Sequence, residues 1–66
     1  MTVKRCNTGT KVGFTIPTKD PEISLVKTTE GIEEFLTSDL IFFSGYMSDY
    51  ELSEDAVNKM FNLNNN

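Results

Sequence analysis

Residues 49–55, DYELSED, set oxygen-bearing side chains at alternate positions: Asp49, Glu51, Ser53 and Asp55. A calcium loop begins with that spacing. Such a loop also needs glycine at its sixth position and a bidentate glutamate at its twelfth. Glu54 and Met60 stand there, so no calcium site is expected. Residues 7–13, NTGTKVG, echo a phosphate-binding loop but lack the G-x-x-x-x-G-K spacing and lead into no helical pattern. Glu33 and Glu34 are adjacent, and on a helix adjacent side chains point apart, which does not suit paired acid–base work. The chain has one cysteine, Cys6, and no histidine. It can therefore form no intrachain disulfide, no zinc set of the usual kind and no nucleophile–base pair. No metal, no cofactor and no enzymatic activity are expected.

The chemistry that remains is that of charge and aromatic surface. From Thr28 to Asn58 there is no Lys or Arg, and Glu30, Glu33, Glu34, Asp39, Asp49, Glu51, Glu54 and Asp55 give this stretch a net charge of −8. Residues 1–27 carry a net +3, and the whole chain −4. Acidic residues at helix starts suit the helix dipole and keep a small protein soluble. A solvated helix face usually also mixes signs to gain i,i+4 pairs, however, and these stretches are read as doing without them. Carboxylates on a rigid scaffold also pair with the Lys and Arg of a site built for phosphates.

The run LIFFSGYM, residues 40–47, passes directly into the acidic segment. Together they form a plausible interface: Phe43, Tyr46, Met47 and Tyr50 as anchors, with Asp49, Glu51, Glu54 and Asp55 as steering and rim contacts. The expected function is that of a small non-enzymatic protein-binding module. It would act as an inhibitor or regulator, in the manner of a nucleic-acid mimic, on a partner with a basic surface. The alternative is a structural subunit that forms a homo-oligomer through a strand at 39–47. Direct binding of nucleic acid through Lys4, Arg5, Lys11 and Lys19 is not expected, since these few charges lack interleaved exposed aromatics. Small size, absent catalytic chemistry and the Asn-rich NLNNN fit an accessory protein of a phage or other mobile element.

These residues need elements to hold them. In residues 11–17, KVGFTIP, Val12, Phe14 and Ile16 alternate with Lys11, Gly13 and Thr15, the period of a half-buried strand. Residues 2–6 are a second strand, and NTGT at 7–10 makes the pair a hairpin. A turn at 18–22 leads to a third strand at 23–28. At 29–38, Ile32, Phe35 and Leu36 are spaced i, i+3, i+4, which predicts a short helix capped by Thr28 or Thr29 and weakened by Gly31. Residues 39–47 are apolar on both parities and read as a strand covered on both faces. Ser53 caps a last helix starting at Glu54, with Leu52 stapled to Val57 and an apolar stripe of Val57, Met60 and Phe61.

The order β-β-β-α-β-α predicts a small two-layer α+β domain, a mostly antiparallel sheet with two short helices on one face. It would occupy residues 1–63 and leave a disordered polar tail at 64–66. In 66 residues one helical layer cannot cover both faces of the 39–47 strand, so part of it is expected to meet another chain. No segment has the length and apolarity of a membrane span. A lone cysteine suits a reducing compartment, so the expected location is the cytoplasm.

Overall fold

The computed structural model describes residues 1–45 and 48–62. The N-terminal half is an antiparallel meander. Strand β1 (Thr2–Asn7) pairs with β2 (Val12–Pro17), β2 with β3 (Ile23–Thr28), and β3 with β4 (Gly31–Leu36). The first hairpin closes as its sequence predicts. Asn7 Oδ1 accepts the Gly9 N–H at 2.7 Å, and the Thr8 N–H donates to the Lys11 carbonyl at 2.8 Å. Gly9 takes a φ of +105°, which costs glycine little.

The predicted helix at 29–38 is a strand. Residues 31–36 form a six-pair ladder with β3, from Thr28↔Gly31 to Ile23↔Leu36. The i, i+3, i+4 spacing of Ile32, Phe35 and Leu36 also fits an alternating strand, in which Ile32 and Leu36 share one face and Phe35 takes the other. Two features favour the strand. Gly31 at φ +124° follows a two-residue Thr29-Glu30 turn, and the Thr28 hydroxyl accepts the Glu30 N–H inside that turn instead of capping a helix. A two-turn helix has little stability of its own, whereas the ladder adds paired backbone groups along its whole length.

A single 3₁₀ turn, Thr37–Asp39, then carries the chain from β4 to the opposite edge of the sheet. The strand predicted at 39–47 is shorter than expected. Strand β5 is only Ile41–Phe42, and β6 (Asp49–Glu51) follows separately. Both pair antiparallel with the free side of β1: Cys6↔Phe42 and Asn7↔Ile41, then Thr2↔Glu51, Val3↔Tyr50 and Lys4↔Asp49. The fold is therefore mostly β, a six-stranded antiparallel sheet with one short helix among the described residues, in place of the two-helix α+β domain.

Helix α1 (Glu54–Met60) forms as its sequence predicts. Ser53 Oγ accepts the Ala56 N–H at 3.1 Å, and Leu52 packs on the cluster that contains Val57. Val57 and Phe61 bury against Val3 and Ile16, with Phe14, Leu25, Ile32, Tyr50 and Met60 around them. The other sheet face is covered by the 37–40 crossover. There Leu40 closes on Cys6 and Val26, with Phe35 alongside, and Ser24 Oγ meets Thr37 Oγ1 at 2.7 Å. The two covering segments thus lie on opposite faces of the sheet. Among the described residues no buried side-chain polar atom lacks a hydrogen-bond partner. The predicted tail at 64–66 lies outside the described residues.

Gly13 stands against β3 with no room for a side chain. A Cβ there would stand 2.7 Å from the Lys27 carbonyl oxygen and 2.9 Å from both Thr28 Cγ2 and Val26 Cγ1. Backbone cannot yield as a flexible side chain does, so Gly13→Ala is expected to destabilise the fold by about 1–3 kcal/mol. Urea unfolding measures this, and an unchanged midpoint would show that the strands can separate at no cost.

Candidate functional site

The edge beyond β1 is built around one residue, Arg5. Its carbonyl accepts the Phe43 N–H at 3.2 Å, and its own N–H donates to the Ser48 carbonyl at 2.8 Å. β1 thus exchanges one short partner strand for another at Arg5. Gly45 at φ +93° begins the return, where Ser48 Oγ donates to the Gly45 carbonyl at 2.9 Å. Tyr46 and Met47, two of the predicted anchors, lie outside the described residues.

The sequence-predicted site divides into three parts. Phe43 is exposed at the edge with Ile41 and Phe42, at 36%, 66% and 40% relative exposure, so this edge presents three consecutive exposed apolar side chains. The Arg5 guanidinium lies 4.4 Å from the Phe43 ring centroid, and the Lys4 ammonium 6.0 Å from that of Phe42. These cation–aromatic contacts bring two positive charges out to the edge. Tyr50 belongs instead to the core side, packed edge-on against Phe14 at 5.5 Å. Ile41 and Phe42 were not among the predicted anchors. Their apolar run is the available signal, but its two-parity pattern predicts a strand covered on both faces.

The acidic members also separate. Asp49 is exposed opposite Lys4 in the ladder. Glu51 accepts the Thr2 hydroxyl at 2.8 Å and lies 3.1 Å from the Met1 amino group. The Thr2 hydrogen bond first, and the amino group second, hold its carboxyl below the usual range. Glu54 and Asp55 sit in the first turn of α1. Asp55 lies 3.5 Å from Lys59 as an i,i+4 pair, which corrects the expectation that the acidic helix has no such partner. Glu30 pairs with Lys11 at 2.6 Å. Antiparallel folding has thus brought part of the acidic segment back onto the basic half of the chain.

Cys6 is fully buried, and its burial pushes the thiol pKa up, so it serves as packing. Among the described residues no cluster of three His, Cys, Asp or Glu could hold a metal ion, and no helix is long and apolar enough to cross a membrane.

No family model, curated protein or solved structure matches this chain. The edge is therefore read from its own geometry, as a surface that can dock a strand or an apolar anchor and steer it by charge.

A carboxylate with a lowered folded-state pKa adds stability above its unfolded pKa, and that stability is lost as pH falls through the folded value. Glu51 is expected to titrate below the usual glutamate range in a carboxyl carbon NMR titration. Thr2→Val should move it back toward that range. An unmoved Glu51 would mean that the hydroxyl contact does not persist in solution.

Proposed function

We propose that this chain is a small non-enzymatic protein-binding module, an inhibitor or regulator, that docks its partner along the β5–β6 edge. The exposure of Ile41, Phe42 and Phe43 on an edge strand carries this reading. An edge strand offers unpaired backbone groups, and proteins usually blunt it with charge, proline or a cover. This edge has an apolar half at 41–43 and an acidic half at Asp49 and Glu51. A partner strand with apolar side chains and basic flanks fits both halves, combining ladder hydrogen bonds with anchor pockets. Glu33, Glu34, Asp39, Asp49 and Glu54 are the carboxylates left to meet a basic partner, including one that ordinarily holds nucleic acid. The single buried thiol suits a reducing compartment, and we place the module in the cytoplasm.

The same apolar edge supports a second reading, self-assembly into a homo-oligomer. Sedimentation of the pure chain separates the two, since only the second reading predicts association without another protein.

The variants that test the first reading follow from the pairing described above. Glu51 and Asp55 already have partners within the chain, so Asp49→Lys with Glu54→Lys is the sharper change. In affinity capture at low salt, this double variant and Phe43→Asp should each lose the bound partner, while far-UV circular dichroism stays that of the parent. A partner retained by both variants, or bound equally at high salt, would count against docking at this edge.

A further inference from the structure

Among the described residues the sheet is open at two edges, β4 and β5, and these are chemically complementary. The β4 edge carries exposed Glu33 and Glu34 with half-buried Ile32. The β5 edge carries Ile41, Phe42 and Phe43, with Lys4 lying over Phe42 and Arg5 over Phe43. We infer that copies of this chain associate head to tail, the β5 edge of one molecule taking the β4 edge of the next. This inference rests on the self-assembly reading and names the surface that completes it.

Strand direction and side-chain parity both permit the contact. Each neighbouring pair in the order β4-β3-β2-β1-β5 is antiparallel, so β4 and β5 run the same way. A second copy continuing the sheet with the same face up therefore presents its β4 parallel to β5. The offset that places Ile32 of the next copy beside Ile41 also places Glu33 beside Phe42 and Glu34 beside Phe43. Ile32 belongs to the helix-covered face, since it packs on that core, and Glu34 shares its parity. Ile41 shares that face through its pairing with Asn7, as does Arg5 through its pairing with Phe14. Glu33 and Phe42 lie on the opposite face, with Lys4. One register thus joins apolar to apolar and brings each glutamate to a cation that already lies over the adjacent ring.

Electrostatics selects this arrangement over its rivals. Joining β4 to β4 would set Glu33 and Glu34 against their own copies, and joining β5 to β5 would do the same with Lys4 and Arg5. Like charges facing each other across paired strands are destabilising. The unlike-edge contact is heterologous, so it does not close at two copies and produces a ring or an open chain.

The test is a charge exchange between two exposed positions, followed by sedimentation velocity at low salt over a concentration series. Glu33→Lys alone and Lys4→Glu alone should each weaken self-association about tenfold. Mixing the two variants should restore it, because each then supplies the edge that the other lacks. Self-association that survives Glu33→Lys would overturn the inference in favour of a β5-to-β5 dimer, and a mixture that stays monomeric would overturn it as well. A wild-type chain that is monomeric at every concentration would remove the self-assembly reading itself. An independent readout needs no variant: carbodiimide coupling of an equal mixture of isotopically light and heavy wild-type protein. A Glu33–Lys4 link between light and heavy copies is expected, and its absence from a cross-linked oligomer would overturn the proposed register.

Discussion

The structure depends on the double pairing of β1. Every backbone polar group of a central strand must find a partner on one side or the other, and β1 obtains its partners from three strands. β2 takes one side along most of its length, while β5 and β6 divide the other side at Arg5. This division decides where the rest of the chain goes. The crossover must bring residue 41 to the far end of β1, which draws Leu40 over Cys6 and Val26. β6 must run back to the start of β1, where the Leu52 N–H donates to the Met1 carbonyl and α1 is released onto the opposite face.

The same constraint redistributes the charge. Along the chain the basic and acidic halves are separate, a pattern that suggests an electrically polar molecule. Antiparallel pairing folds one half onto the other. The 29–30 turn meets Lys11, and β6 meets the amino terminus. Exposed pairs of this kind contribute little stability. Their effect is on surface charge: they neutralise part of the acidic segment and leave the β4 edge acidic, while the β5 edge gains two cations held over its own aromatic rings.

The parts of the fold legible in the sequence are those governed by local rules. The first hairpin is set by Asn7 and Gly9, the third strand by its β-branched residues, and α1 by the Ser53 cap and the Leu52 staple. At residues 29–38 local rules give two answers. A three-residue apolar pattern of Ile, Phe and Leu satisfies both periods, and the Thr and Glu residues that would begin a helix serve equally well in a tight turn. The ladder with β3 settles the matter, and it exists only once the meander has formed. Within the candidate site, Phe43 and Asp49 are exposed, whereas β6 turns Tyr50 to the helix-covered face, beside Phe14.

The sequence by itself determined the chemistry available: no histidine, one thiol, an aromatic run, and an acidic half next to a basic one. It also determined every element whose signal lies within a few residues. Only the tertiary structure decided which carboxylates are neutralised, which aromatics are buried and which strand edges remain open. Those outcomes depend on strand order and register, which bring together residues as far apart as Thr2 and Glu51. A one-residue change of register would turn every side chain of a strand to the other face, and local spacing carries no information about the strand that will lie alongside.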